Sequence, residues 1–359
     1  MHETKSTPLG LGKMGAVKRK TVSVSSESLI ETELLKPGVQ LPLVIRPAVA
    51  GINIIEWAQG NREFIEARLL THGGILLRGW QTSSVDEFER FAIAAAGEAL
   101  MDYSYRSTPR SAVSGKIYTS TEYPADQSIP LHNEMAYSRA WPMKIWFYCV
   151  KAAEQGGETP IADSRRVFAR IDPQVRGRFI QKDVLYVRNY GSGLDLSWQN
   201  VFQTTNKAEV EAFCRSAGIE FEWRDRDRLR TRQVCQSAAR HPKTGEMVWF
   251  NQAHLFHVSS LAPEIRDRFL AEFKEEDLAR NAYYGDGTPI EPAALEEIRR
   301  AYEQETIIFP WHEGDILMLD NMLAAHARTP FTGSRKIVVA MAGACGSQDV
   351  QPEAPEVMK

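Results

Sequence analysis

Ile129-Pro130-Leu131-His132-Asn133-Glu134-Met135 is the stretch from which the rest of the chain is read. As a β-strand it sends alternate side chains to opposite faces, so His132 and Glu134 are expected to point the same way. An imidazole and a carboxylate then offer two neighbouring ligand atoms to a metal, and a distant histidine, His326, is expected to supply a third. Two histidines and one carboxylate on one face of an ion leave the opposite positions open, an arrangement suited to a non-haem ferrous centre that takes a cosubstrate and dioxygen. His-x-Glu also occurs on ordinary polar strand edges, so its weight depends on what surrounds it.

Short β-prone runs broken by turn residues flank the stretch. Lys116–Thr121, Lys144–Val150 and Glu158–Ala162 read as strands, the last after a Gly156-Gly157 turn. Ile145-Trp146-Phe147-Tyr148-Cys149-Val150 is apolar on both faces, which predicts a central strand covered on each side. Strands are expected again at Thr306–Phe309, Asp315–Leu319 and Arg335–Met341. Between about 165 and 300 the periodicity is helical, with helices expected at Ala208–Ala217, Pro263–Lys274 and Glu291–Tyr302. Upstream, Val39–Ile45 reads as a strand and Asn61–Thr71 as a helix closed by Gly73-Gly74. Ile75–Arg78 is a further strand, and Ser84 with Glu87 forms a capping box before another helix. β-runs on both sides of a helical insertion predict a mainly β fold with flanking helices, a double-sheet jelly roll. One domain is expected over 29–346, with the insertion returning to complete the sheet and loose tails at 1–28 and 347–359.

Composition excludes several classes. A formal charge of -3 over 359 residues gives no basic footprint for nucleic acid. The Arg-rich run 224–232 is interleaved with Asp225 and Asp227 and is expected to form a solvated or salt-bridged face. The 4 cysteines, Cys149, Cys214, Cys235 and Cys345, lack paired spacing and read as reduced thiols of a cytoplasmic protein. No apolar run is long enough for a membrane span, and no apolar segment follows the basic N-terminal residues as a secretory signal would require. Gly-x-Gly-x-x-Gly and phosphate-loop patterns are absent. His254 and His257 lack a third ligand in sequence and are expected to be structural, or to line a cavity with Trp249, Phe250 and Asn251. His72, His241 and His312 are expected at the surface or in packing.

Together these pieces resemble the taurine-dioxygenase-like superfamily of iron(II)- and 2-oxoglutarate-dependent oxygenases, over residues 45 to 345. The resemblance rests on Leu131-His132-Asn133-Glu134, Gly156-Gly157-Glu158-Thr159-Pro160, Trp311 through Gly314-Asp315, Asp320-Asn321, and His326-Ala327-Arg328-Thr329-Pro330-Phe331 through Arg335. Its His-x-Glu form is similar to clavaminate synthase and to amino-acid hydroxylases of nonribosomal peptide pathways. The resemblance implies a double-stranded β-helix, with Fe(II) held by His132, Glu134 and His326 and with 2-oxoglutarate and O2 as cosubstrates. An Arg at the place of Arg335 holds the far carboxylate of 2-oxoglutarate in such proteins, a task that suits a planar, permanently charged fork. Arg335 follows His326 by nine residues, a compact spacing that brings Arg328 forward as a helper or as a partner for a substrate carboxylate. Thr159 stands where relatives donate a hydroxyl to the cosubstrate.

The resemblance implies hydroxylation of an unactivated C–H bond in an amino-acid-like small molecule of secondary metabolism, free or tethered to a carrier protein. The presence of Glu134 favours hydroxylation over halogenation, because the halogenases of this superfamily give up the carboxylate ligand. Desaturation and ring formation use the same ligands and stay open, as do a zinc hydrolase and an inactive binding module. Tyr118, Asn133, Trp198 and Asn251 are candidates for the substrate pocket.

Overall fold

The computed structural model describes residues 29–350 except 104, 106–109, 122 and 192–195. The tail expected at 1–28 and residues 351–359 lie outside the described residues. Ser347–Asp349 form a short 3-10 turn, and Val350 is buried beside Trp141 and Phe250 rather than loose.

The largest element is an eight-stranded sheet. Its order is Ile30–Lys36, Val39–Pro47, Gly74–Leu77, Ile316–Asp320, Ala140–Lys151, Lys336–Gly346, Ile117–Thr119 and Ala112–Ser114. Every pairing is antiparallel except Val39–Pro47 with Gly74–Leu77. The apolar run on both faces is the centre of this sheet, as expected. Trp146 and Tyr148 face a layer of helices through Trp57, Phe88 and Phe91. Ile145, Phe147 and Cys149 face the other way, toward Ile161, Trp311 and Ala324. That second layer includes a three-stranded sheet of Ile129–His132, Ala324–Arg328 and Ile161–Asp163, in which His326 sits opposite His132. A mainly β protein with flanking helices results, with the site between the two sheets.

Helix ends follow the sequence closely. Arg62–His72 closes at Gly73, whose φ of 74° puts it in the left-handed region. Ser84 Oγ accepts from Glu87 N at 3.1 Å, while Glu87 reaches Ser83 N instead of closing the box on Ser84 itself. Three expectations differ. The strand ends at His132, and Glu134 lies in a turn that includes Met135 at a φ of 57°. Among the described residues, Thr306–Phe309 forms only a single bridge, Ile307 with Ile161, rather than a strand. The insertion also carries a four-stranded antiparallel sheet, Glu220–Arg224, Arg228–Cys235, Val184–Tyr190 and Arg280–Tyr284, among its helices. Its strands were masked by arginines at inward positions. Arg230, 3% exposed, pairs with Asp277 at 2.6 Å and donates to Asn189 Oδ1 at 2.7 Å. The expected salt-bridged face is therefore partly inside the fold. All four cysteines are free, and burial pushes the Cys149 thiol up to about 12. Among the described residues no helix is long and apolar enough to cross a membrane.

Candidate metal centre and its two cavities

His132 ends one strand and His326 lies on the next, so cross-strand pairing sets their rings 4.4 Å apart. Glu134 reaches them from the turn, and one ligand atom from each of the three lies within 4.8 Å of the others. The turn is fixed by Asn321, which is fully buried. Its Oδ1 accepts from Glu134 N at 2.7 Å, and its Nδ2 donates to Glu134 O and Pro142 O at 2.9 and 2.8 Å. Convergence of His132 and Glu134 thus comes from a clamped turn, where strand alternation had been the expected cause.

The donor set fits a ferrous ion. His132 Nδ1 lies 2.8 Å from Pro130 O, a contact only an N–H can make, which leaves the Nε2 lone pair for a metal. His326 Nε2 stands 3.8 Å from Glu134 Oε2, and its Nδ1 is buried without a hydrogen-bond partner among the described residues. Burial holds both imidazoles below the usual histidine range, His326 well below it, although Glu134 works against this at His132. Both are therefore neutral at neutral pH, the state a ligand requires. Arg110, missed in the sequence, donates to Glu134 Oε2 at 2.6 Å from a buried position. Burial opposes its charge, yet Glu134 keeps its pKa raised. No local motif marked it, since the contact spans 24 positions.

Two openings meet at these ligands. The first is a narrow cleft lined by Arg110, Ser120, His132, Phe147, Thr159, His326 and Arg335, among others. Thr159 Oγ accepts from Trp311 Nε1 at 3.1 Å, which leaves its hydroxyl hydrogen to donate into the cleft. Arg335 donates to Gly157 O at 2.8 Å and to Ser120 Oγ at 3.3 Å, with its guanidinium 5.6 Å from the Phe331 ring centre. Burial, and then the neighbouring Arg328 charge, lower its pKa to about 10. The double glycine makes room for this packing. A Cβ on Gly157, whose φ is 72°, would meet Arg335 Cδ at 2.9 Å, and one on Gly156 would meet Pro330 O at 2.1 Å. The second opening is a cavity of about 310 Å³ that includes His132 and Glu134 in its lining.

The structure brings His132, Glu134, His326, Thr159 and Arg335 together. Arg328 borders the cleft, but its guanidinium donates to the carbonyls of Tyr123, Pro124 and Gln127 at 2.6–3.0 Å, tying down the loop beside the larger cavity. The four substrate candidates occupy packing positions outside the lining of either opening. Tyr118 OH accepts from Tyr103 N, Asn133 donates to Ser164 and Asn321, Trp198 donates to Asp227 O, and Asn251 donates to Ser237 O. The larger cavity takes its walls from the insertion instead, through Leu255, Phe256, Val258, Leu261, Phe269 and Arg280. Of the histidine pair, His257 lines this cavity and His254 is buried with Nε2 3.0 Å from Leu131 O.

The chain is similar to known proteins in sequence and in fold. Residues 37–341 match the family model for the taurine catabolism dioxygenase TauD, TfdA family. The dapdiamide synthesis protein DdaC of Enterobacter agglomerans is 42% identical over 277 residues, 77% of this chain and 84% of that one. A clavaminate synthase-like protein of Arabidopsis thaliana is 29% identical over 84% of this chain and 93% of its own. In fold the chain is similar to PvcB of Pseudomonas aeruginosa, with a TM-score of 0.55 at 15% identity, covering 95% of this chain and 100% of that one. The chain belongs to the TauD/TfdA dioxygenase family. It is an oxygenase enzyme that uses iron and 2-oxoglutarate.

Proposed function

We propose that this oxygenase hydroxylates an unactivated C–H bond of an amino-acid-like small molecule, free or tethered to a carrier protein. The observation that carries the reading is the meeting of two differently built openings at one ligand cluster, a cationic cleft and a larger apolar cavity. His132, Glu134 and His326 hold the iron, and Arg335 with Thr159 receives 2-oxoglutarate in the cleft. When bound, the metal activates dioxygen while oxidation of 2-oxoglutarate to succinate and carbon dioxide supplies two of the four electrons required. The protein's part is placement. Asn321 and Pro130 fix the ligands, Phe147 packs 4.9 Å from the His326 ring, and the apolar walls keep water from the reacting carbon. The presence of Glu134 as a third ligand supports hydroxylation. Similarity to DdaC, named for dapdiamide synthesis, supports an amino-acid-derived substrate in secondary metabolism.

We further read the two facing sheets as a double-stranded β-helix, one domain over 29–346 with its insertion at 165–300. The entry of alternate side chains from Ile145 to Cys149 into two different cores, and the return of the chain to Ile316–Asp320 after the insertion, support this. The test is mass spectrometry of candidate amino acids, free and carrier-bound, during 2-oxoglutarate consumption. Gain of one oxygen atom is expected. Loss of two hydrogens without oxygen gain would replace hydroxylation by desaturation or ring closure.

A further inference from the structure

Among the described residues, the insertion lines the larger cavity with four polar side chains, Gln252, His257, Ser260 and Arg280. Three of them are engaged within the protein. Gln252 Nε2 donates to Asn133 O at 2.7 Å, Ser260 Oγ donates to Leu255 O at 3.0 Å, and Arg280 has a partner of its own. The rest of the insertion's wall is apolar, with Leu255, Val258, Leu261 and Phe269 prominent. On such a wall a few placed polar groups set how a ligand lies.

His257 differs because its two ring nitrogens have separate surroundings. The residue ends the short helix Ala253–Phe256 and is buried. Its Nδ1 turns back onto the chain, 2.9 Å from Ser259 Oγ, and accepts from Ser259 N at 3.1 Å. A backbone N–H can only donate, so Nδ1 carries a lone pair. Ser259 Oγ in turn accepts from Arg299 Nη2 at 2.8 Å, which leaves its own hydrogen to donate to Nδ1. Burial holds the ring below the usual histidine range, against the pull of Glu275 and with the help of the Arg299 charge, so the ring is neutral at neutral pH. A neutral imidazole with its lone pair on Nδ1 carries its proton on Nε2. Nε2 has no hydrogen-bond partner among the described residues, and the ring lines the cavity. A buried N–H without an acceptor is costly, and a ligand that supplies one removes the cost.

We propose that His257 Nε2–H donates to an uncharged carbonyl oxygen of the substrate, in the cavity that opens on His132 and Glu134. This rests on the reading of that cavity as the substrate's. A neutral donor on an apolar wall favours a neutral acceptor, since an anion loses its hydration there and gains no counter-charge from the ring. An amide in the substrate's own skeleton supplies such an oxygen, and so does the thioester of a carrier-tethered acyl group. His257 then sets how the substrate lies, without touching the reacting atoms.

The test uses the full chain loaded with Zn(II), a diamagnetic stand-in for iron, and N-oxalylglycine, an inert analogue of 2-oxoglutarate. Toluene, benzamide, S-methyl thiobenzoate and benzoate are titrated, and isotope-labelled histidine side chains are followed by NMR. The His257 signal, identified by its loss in His257→Asn, should report the Nε2–H tautomer and should move with a carbonyl probe but not with toluene. His257→Asn keeps an acceptor for Ser259 N and removes the donor. It should weaken the carbonyl probe by about 3- to 10-fold, the worth of one neutral hydrogen bond, and leave toluene binding unchanged. His257→Gln lacks the Nδ1 acceptor but carries N–H groups near the Nε2 position, and should restore most of that affinity. A purely structural role predicts the reverse order, with Asn harmless and Gln damaging. Tighter binding of benzamide or of the thioester identifies the source of the carbonyl. The reverse order of variants, an Nδ1–H tautomer, or benzoate binding more tightly than both carbonyl probes overturns the proposal. Failure of every probe, toluene included, brings down the reading of the cavity as the substrate's, and this inference with it. Toluene binding with carbonyl probes indifferent to His257→Asn brings down only the inference.

Discussion

Replacing Arg335 with Gln tests most directly the proposal that the narrow cleft receives 2-oxoglutarate. The guanidinium enters the cleft from the strand start beside Lys336 and is steadied by Gly157 O, Ser120 Oγ and the Phe331 ring. Truncating one partner of a buried, hydrogen-bonded charge pair costs about 3–5 kcal/mol. Arg335 is only partly buried and Gln retains a neutral donor, so a smaller cost of about 2–3 kcal/mol is appropriate. That corresponds to a rise of about 30- to 150-fold in the KM for 2-oxoglutarate. Iron binding should be unchanged, since Arg335 contacts none of the three ligands. The assay is succinate release against 2-oxoglutarate concentration, with iron stoichiometry measured alongside. The pH dependence has a definite sign. Burial lowers the Arg335 pKa to about 10, so the cation is present below that value and is lost as pH rises through it. Affinity for 2-oxoglutarate should hold between pH 7 and 9 and fall above about 10. An Arg335→Gln enzyme with wild-type KM, or with lost iron, would refute the reasoning.

Three further outcomes follow from particular contacts. Asn321→Ala leaves Glu134 N–H and two carbonyls without their partner, and each buried group so stranded costs about 1–3 kcal/mol. Iron affinity should fall by about tenfold or more, and an unchanged iron titration would show that the turn holds itself. Asp315→Ala strands Arg78, whose Nη2 lies 2.6 Å from Asp315 Oδ2 in a pair that is almost fully buried. Denaturant unfolding should show a loss of about 3–5 kcal/mol, much of it restored by adding Arg78→Met. His254 is buried with its pKa lowered to about 3, whereas the unfolded chain titrates near 6.5. Its contribution is fully present above pH 6.5 and is lost at about 1.4 kcal/mol per pH unit as pH falls toward 3. His254→Gln should flatten that slope in unfolding curves taken across the range, and an unchanged slope would count against burial as its cause.

Where local pattern carries the information, the sequence was sufficient. Ile145–Val150 is apolar at every position, and a strand covered on both faces buries Ile145 through Cys149 in the two cores. Gly73 and Ser84 mark helix ends because backbone conformation and capping hydrogen bonds are settled within a few residues. The trio His132, Glu134 and His326 was also legible, since an iron site restricts its donors to few residue types, whereas Thr159 and Arg335, which line the neighbouring cleft, were singled out through the family resemblance. The tertiary structure decided what depends on distant partners. Glu134 turns toward His132 because Asn321, 187 positions away, clamps its backbone. Arg110 joins the site, and Arg328 becomes a loop tie, through contacts that no spacing encodes. Tyr118, Asn133, Trp198 and Asn251 looked like pocket residues by type, but a polar side chain goes where its hydrogen bonds can be completed, and theirs lie in the packing. The insertion's sheet was hidden for the same reason, since Arg230 reads as surface until Asn189 and Asp277 are seen to enclose it.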